Sequence, residues 1–332
     1  MAGTPDISVV IPCYNSEAFV ETTARSALDQ TYPTEEVVCV DDGATDGTLE
    51  VLRSIQEDDS NLTVRTQENQ GICGARNTGL EMASGEYVAF LDHDDVLRPN
   101  KLEHQAELIA DCSFRPGFVA AAYKEVYPDS DEDSRTRQIN TADPWIGLIH
   151  ARLGRTSSNL WKASSIQKAG AWQEADGLSL DTGLMFRLLQ KDAQLLGDMR
   201  PLTTRHVRGS SASMADRVEQ WRTFLDLRAK IFMYLRSSGR LTQARNEALH
   251  LDMIRAVRGL YEHDPELALR KHRNLVQGQF QSSDAAFGPG RLYRFLYRSL
   301  GFEYAEAIYP LWIHLRKHSR STVKYIFNAF YL

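Results

Sequence analysis

Tyr87-Val88-Ala89-Phe90-Leu91-Asp92-His93-Asp94-Asp95 decides how this chain is read. An apolar run long enough for a buried strand drives into three carboxylates interrupted by one histidine. Like charges gathered at the tip of a buried strand are unfavourable unless something neutralises them. The usual partner for clustered hard oxygen ligands is a divalent cation such as Mg2+ or Mn2+. The plainer reading is a solvated turn, since Asp95 and Asn100 both suit turns and helix caps. Asp-X-Asp alone does not choose between the two, but its neighbours do.

Toward the N-terminus, Ile7-Ser8-Val9-Val10-Ile11 has the near-continuous apolar pattern of a buried parallel strand, closed by Pro12. Ser16 is placed to cap a helix from Glu17 to about Leu28, with Phe19, Val20, Thr23 and Ala27 on one face. Val37 to Val40 is a second strand ending in Asp41-Asp42-Gly43, and Thr45 or Asp46 opens a second helix bearing Leu49, Val51, Leu52 and Ile55. Leu62 to Thr66 is a third strand, followed by the loop Glu68-Asn69-Gln70-Gly71 and a helix containing Arg76 and Asn77. Strands alternating with helices at this spacing predict βαβ units and a mostly parallel, Rossmann-like central sheet. In such sheets ligands bind beyond the carboxyl ends of the strands. Here those ends carry Pro12 to Tyr14, Asp41-Asp42, Asn69 to Gly71, and Asp92 to Asp94. There is no GxGxxG after the first strand and no GxxxxGK[ST] anywhere, which excludes the dinucleotide and P-loop patterns. A receiver-type phosphoacceptor would carry its acidic pair after the first strand rather than the second. A sugar-nucleotide pyrophosphorylase or related nucleotidyltransferase would carry a glycine-rich, basic first loop. What remains is an acidic edge suited to a metal that bridges a diphosphate.

Composition agrees with a folded, water-exposed protein. The 332 residues are 42% hydrophobic and 25% charged, and the net charge of −6 argues against a general nucleic-acid binder. From Arg291 onward there are seven Lys/Arg against two Glu, a surplus of +5 that leaves −11 before it. The four cysteines (Cys13, Cys39, Cys73, Cys112) show no metal spacing and read as buried free thiols in a reducing cytoplasm. The N-terminus has no signal-peptide pattern, and no apolar run approaches the ~18 residues of a membrane span.

Four segments together resemble, in order and spacing, the family 2 glycosyltransferases of GT-A fold. They are Ile-Ser-Val-Val-Ile-Pro-Cys-Tyr-Asn, Val-Asp-Asp-Gly-Ala-Thr-Asp-Gly-Thr, Asn-Gln-Gly-Ile-Cys-Gly-Ala-Arg-Asn-Thr-Gly and Gly-Glu-Tyr-Val-Ala-Phe-Leu-Asp-His-Asp-Asp. The likeness covers roughly the first hundred residues closely and is traceable to about residue 215. It implies an inverting transferase that uses a nucleotide-diphosphate sugar, with a UDP-sugar favoured over GDP- or dTDP-sugar, and Mn2+ or Mg2+. On matching positions it places Pro12 and Tyr14 beside the base with Glu17 nearby, and Asp42 on the base edge. Asn69 and Gly71 would line the same wall, Arg76 would reach the base or diphosphate, and Asp92 would approach the ribose. His93 would face the nucleotide and Asp94 would bind the metal. Tyr14 as a core aromatic, Asp42 as a helix cap and Arg76 as a solvated cation are the plain alternatives.

The second half is less regular. A helix over Pro99 to Ala110 and a strand over Phe118 to Tyr123 precede a charged stretch, Pro128 to Ser134, read as a solvated loop. Leu184, Met185, Leu188 and Leu189 give one buried helical face, with Asp181 at the start of that helix. Asp181 is either an N-cap or, as the resemblance implies, the general base that takes the acceptor's proton. The family often has Glu-Asp where this chain has Leu180-Asp181, and Glu174 is the fallback base. Thr204 to Ser213 resembles the family's closing loop, in which His206 would join the metal. From Asp216 the pattern is helical, so the expected organisation is a GT-A catalytic domain over 1–215 and a helical domain over 216–332. The nucleotide-binding half would lie at about 1–100 and the acceptor half at about 101–215. The basic, aromatic segments Arg291 to Arg298 and Trp312 to Arg320 suggest peripheral attachment to the inner face of an anionic membrane, or an oligomer contact. The expected function is sugar transfer to a glycan, polymer or lipid-linked acceptor in cell-surface polysaccharide or glycoconjugate synthesis, at the level of a hexosyltransferase. The alternative is a non-catalytic sugar-nucleotide or glycan-binding module on the same fold.

Overall fold

A computed structural model describes residues 3–129, 133–208, 216–276 and 291–318, with 291, 294 and 311–318 described as helix only. The chain divides into two compact units, Met1–Ala215 and Asp216–Leu332.

The first unit is built on β1 (Ile7–Cys13), β2 (Val37–Asp41), β3 (Leu62–Thr66) and β4 (Tyr87–Phe90), with α1 (Val20–Leu28), α2 (Thr48–Asp58) and α3 (Gly71–Met82) between them. Every residue of β1, β2 and β4 is buried, so their uninterrupted apolar sequences belong to strands covered on both faces. After β4 come β5 (Val96–Leu97), α4 (Lys101–Asp111), β6 (Phe118–Ala121), β7 (Tyr123–Val126) and β8 (Arg135–Arg137). They are followed by α5 (Pro144–Ile149), β9 (Leu160–Lys162), α6 (Ala163–Lys168), a 3-10 turn (Glu174–Ser179), α7 (Leu180–Gln190), β10 (Leu195–Asp198) and β11 (Thr203–His206). One sheet has the order β10-β6-β9-β4-β1-β2-β3, and only β9 runs antiparallel to its neighbours. A second sheet has the order β5-β11-β7-β8.

Three strands of the second sheet come next in sequence after strands of the first: β5 after β4, β7 after β6, and β11 after β10. The second sheet therefore grows from the carboxyl edge of the first. Sequence periodicity anticipates β1 to β4 but not this crowning sheet. Phe118 to Tyr123, expected as one strand, is two strands in different sheets, because the chain changes sheet at Ala122. Thr203–His206, expected as a loop, pairs with β5 and β7. The first helix begins at Val20 rather than Glu17. Ser16 donates no side-chain cap; its carbonyl instead accepts from the amides of Phe19 and Val20.

The second unit contains α8 (Arg217–Ser237), α9 (Gln243–Tyr261), α10 (Pro265–Lys271), a π turn (His272–Val276), α11 (Arg291–Leu300) and α12 (Phe302–His318). Asp216, Thr242 and Asp264 cap α8, α9 and α10 through their side chains. Leu225, Ile231, Phe232 and Leu235 of α8 are buried, as are Leu249, Met253, Val257 and Leu260 of α9. Among the described residues, no helix is long and apolar enough to cross a membrane.

α3, which carries Arg76, lies close on β1: a Cβ at Gly79 would stand 2.2 Å from Cγ1 of Val10. Alanine is the better helix former by about 1 kcal/mol. Overpacking a tight core costs about 1–3 kcal/mol, so Gly79→Ala should lower stability in urea unfolding. An alanine variant as stable as the parent would refute this contact.

Candidate active site

The site begins at the tip of β4. The amide of Asp95 bonds back to the carbonyl of Asp92 (2.9 Å), turning the chain so that the three carboxylates fan out from one tight bend. Each charge is handled differently. Asp92 Oδ1 accepts from Arg76 Nη2 at 2.6 Å. Packing around Asp92 disfavours its charge, but the Arg76 guanidinium outweighs this and holds the carboxyl below the usual range. Arg76 is itself buried and lies 4.4 Å from the centroid of the Trp172 ring. Trp172 is fixed edge-on against Phe90 and Trp161 and exchanges two hydrogen bonds of 3.0 Å with the Asn77 side chain. Asp95 is buried, and burial together with the charges of Asp92 and Asp94 raises its carboxyl well above the ordinary value. It does not cap the following helix, where Asn100 holds the cap position. Its Oδ1 accepts instead from the amide of His206 (3.1 Å), tying the bend to β11.

That tie brings His206 to the acidic bend. His206 Nδ1 lies 2.6 Å from the carbonyl oxygen of Asp94. A carbonyl only accepts, so Nδ1 carries a proton, and Nε2 is the nitrogen that the neutral ring would offer to a metal. The Asp94 carboxylate faces Arg208, whose Nη1 is 3.2 Å from Oδ2 and whose guanidinium stacks 4.0 Å from the Phe19 ring centroid. The Gly209 to Ser213 part of the expected closing loop lies outside the described residues.

Among the described residues, no three His, Cys, Asp or Glu side chains are gathered as a self-sufficient metal cage. Asp94 and His206 bring one carboxylate and one imidazole to the same bend, the ring against the Asp94 backbone carbonyl. That set fits a cation whose remaining ligands are water and substrate phosphate, which is how Mg2+ is commonly held. Arg76 adds a second indication: its Nε and Nη1 are buried with no hydrogen-bond partner. Buried unpaired guanidinium nitrogens are costly and point to an acceptor supplied by a ligand.

The other positions named from sequence lie along the same strand ends. Pro12 is buried at the end of β1, and its carbonyl is 3.3 Å from His93 Nδ1. Tyr14 is 44% exposed, which sets aside the core-aromatic alternative. Asp42 is buried, and its Oδ1 accepts from Gln67 Nε2 (2.7 Å) and from the amide of Gln70 (2.8 Å), so it braces the loop that opens α3. In that loop Gly71 takes φ +73°, a conformation natural to glycine, and Asn69 Oδ1 accepts from its amide. Glu17 is exposed, and its Oε2 accepts from the amide of Gly47 at the start of α2.

Asp181 stands in the first turn of α7 but does not cap it, because Ser179 holds the cap position. Its carboxylate accepts from the Thr156 hydroxyl and lies 3.6 Å from Arg155 Nη1. The next residue, Ser157, accepts with its hydroxyl from the amide of Asp92 (3.1 Å). Thr156 and Ser157 therefore tie Asp181 to the acidic bend through adjacent residues. Glu174, the fallback base, is exposed and stands across from Gly71. Sequence reading overlooked Arg155, the pairing of Thr156 with Asp181 and the part played by Trp172. The only available signal was a polar Thr-Ser-Ser-Asn run lying between apolar stretches.

The mostly parallel sheet with an acidic, diphosphate-suited carboxyl edge defines a GT-A domain. Residues 8–168 match the family model described as glycosyl transferase family 2. That stretch of the chain belongs to glycosyltransferase family 2. The chain is 43% identical over 113 residues to TuaG of Bacillus subtilis, a glycosyltransferase named for teichuronic acid biosynthesis, covering 33% of this chain and 45% of that protein. It is 34% identical over 173 residues to EpsH of the same organism, a glycosyltransferase by name, covering 49% of each. The chain thus spans less than half the length of these relatives. Among solved structures, S. aureus TarS 1–349 in complex with UDP-GlcNAc superposes with a TM-score of 0.57 at 18% identity, over 79% of this chain and 82% of that one. The mannosyltransferase PcManGT from Pyrobaculum calidifontis, in complex with GDP-Man and Mn2+, gives 0.54 at 20% identity, over 93% and 87%. At these identities the likeness carries the fold alone.

Behind the site, Lys101 is fully buried, bonded to Gln105 Oε1 (2.9 Å), while Gln105 Nε2 donates to the carbonyl of Ser158 (3.1 Å). Burial lowers the Lys101 ammonium to about 7, against partial support from Asp198. The folded state therefore binds fewer protons than the unfolded chain between about 7 and the ordinary 10.5, so stability rises as pH climbs through that window. Urea unfolding should show a gain from neutral to mildly alkaline pH that flattens in Lys101→Met. An unchanged slope in that variant would contradict the assignment.

Proposed function

We propose that this chain transfers a sugar from a nucleotide-diphosphate sugar to a hydroxyl of a glycan, polymer or lipid-linked acceptor, with inversion. One observation supports this above the others. β11 sets His206 against Asp94, 112 positions away in sequence, while Thr156 and Ser157 join Asp181 to the same bend. This supports reading Asp94 and His206 as the metal site and Asp181 as the general base, on one crevice edge.

In this reading Tyr14, Pro12, Asp42, Asn69 and Gly71 shape the nucleotide wall, with Glu17 beside them. Asp92 and His93 face the ribose side, and the unpaired nitrogens of Arg76 receive the base or diphosphate. Asp94 and His206 hold Mn2+ or Mg2+, which when bound offsets charge on the departing nucleoside diphosphate. Arg76 and Arg208 add positive charge beside the same leaving group. Asp181 accepts the proton as the acceptor oxygen bonds to the anomeric carbon. The bond from that carbon to the diphosphate oxygen breaks, and its electrons leave with the phosphate. Attack from the side opposite the leaving group inverts the centre. The donor half is assigned to about 1–100 and the acceptor half to about 101–215. A UDP-sugar is our choice of donor, and synthesis of a cell-surface polysaccharide fits the names of TuaG and EpsH.

Calorimetry with UDP and GDP, with and without Mn2+, tests the division of labour. Asp94→Ala should weaken Mn2+-dependent nucleotide binding by about tenfold or more, whereas Asp181→Ala should leave it nearly intact. Both should abolish transfer, since losing a positioned base costs about 10²–10⁴ in rate. Parent-like nucleotide binding by Asp94→Ala would overturn the metal assignment.

We further propose that the basic, aromatic segment from Arg291 attaches the protein peripherally to an anionic membrane. The full chain should co-sediment with phosphatidylglycerol vesicles at low salt and be released at high salt. Equal sedimentation by a chain ending at residue 285 would refute it.

A further inference from the structure

The second sheet carries a feature that the transfer reaction itself does not require. Register pairing places Tyr123 opposite Arg137, and Glu125 opposite both Arg135 and Arg205. Paired residues share a face, so these side chains line one side of the sheet. Glu125 is buried there and accepts from Arg137 Nε (2.6 Å), Arg205 Nη1 (3.2 Å) and the Tyr127 hydroxyl (2.9 Å). Burial alone would raise the Glu125 carboxyl, yet these partners bring it below its ordinary value. On the same face the Tyr123 hydroxyl accepts from Arg155 Nε at 3.3 Å, and Arg155 reaches Asp181.

Three guanidinium groups therefore surround two carboxylates, and one of those carboxylates is Asp181. Arg137 and Arg155 are 47% and 44% exposed at their side chains. The positive surplus is local, in a chain whose net charge is −6. The acids Asp129 and Asp133 belong to the turn joining β7 to β8, and Arg137 lies at the end of that hairpin away from the turn. Each guanidinium offers five donors in a planar fork, more than the two carboxylates and two phenols can saturate. Glu125 is buried and keeps its pairs, so an arriving anion uses the guanidinium donors that those pairs leave over.

We propose that this face, lined by Arg137, Arg155 and Arg205, is an acceptor subsite for an acidic chain. Such a chain bears a phosphate or carboxylate close to the hydroxyl that reaches Asp181. The proposal rests on Asp181 being the general base. An acidic group seated on the guanidiniums holds the reacting hydroxyl near Asp181 by charge-assisted, bidentate hydrogen bonds. A neutral acceptor would gain no such hold.

The test uses the full chain and three fluorescent oligomers of matched length: an oligogalacturonate, an oligo(glycerol phosphate) and a neutral oligodextran. Fluorescence anisotropy should show one or both acidic oligomers binding about tenfold or more tightly than the neutral one. Binding of the phosphate chain alone assigns a phosphodiester acceptor, and binding of the uronate alone assigns a carboxylate acceptor. Arg137→Gln should weaken the acidic oligomer by about tenfold, and Arg137→Lys should recover part of that loss. Mn2+-UDP affinity should stay unchanged in both variants, which separates this subsite from the donor site. A neutral oligomer bound as tightly as the acidic ones overturns the proposal. So does parent-like acidic binding by Arg137→Gln. Loss of Mn2+-UDP binding by the parent chain would instead refute the transferase reading while leaving the oligomer result standing.

Discussion

The structure turns on one electrostatic problem: three carboxylates on four consecutive residues at the end of a fully buried strand. Ionised together without partners, they would repel one another and lose hydration. The fold resolves each differently. Arg76 takes Asp92, Arg208 takes Asp94, and burial beside two like charges pushes Asp95 toward its neutral form. Asp94 pairs with Arg208, just past β11, while its backbone carbonyl accepts from the His206 ring. The bend thus gives its three carboxylates three different partners within a single turn.

Around that bend the rest of the first unit acts as scaffolding with few moving choices. Gly79 lets α3 approach β1 closely enough to bury Arg76, and Trp172 closes over its guanidinium face. The Thr156–Ser157 pair links Asp181 to the bend, one residue bonded to Asp181 and the next to the backbone of Asp92. Gln105 in turn donates to the carbonyl of Ser158, so a buried lysine on α4 is linked to the same Thr156–Ser158 run. The second sheet completes the arrangement. Because its strands follow those of the first, what they carry comes to the carboxyl edge, including His206 and Arg205.

The first hundred residues were largely legible as sequence. Their strands are apolar on both faces and their helices carry single apolar stripes, so local pattern and final structure agree. Legibility ended where long-range pairing took over. Phe118 to Tyr123 has the pattern of one strand, yet neighbours unknown to the local sequence draw Tyr123 into another sheet. Thr203 to His206 reads as a polar loop because its partners, β5 and β7, are about 80 to 110 residues distant. Asp95 looks like a cap, as any Asp before a helix would, and only its burial against His206 shows its actual partner.

Sequence by itself determined the α/β order, the acidic carboxyl edge, and the family to which residues 8–168 belong. It did so because strand burial, helix periodicity and short motifs are local properties of the chain. The tertiary structure alone decided which charges neutralise which. Arg76 meets Asp92 across 16 residues, Arg155 meets Asp181 across 26, and His206 meets Asp94 across 112. Coulomb interactions and hydrogen bonds depend on distance in space, and no periodicity in the chain encodes those distances.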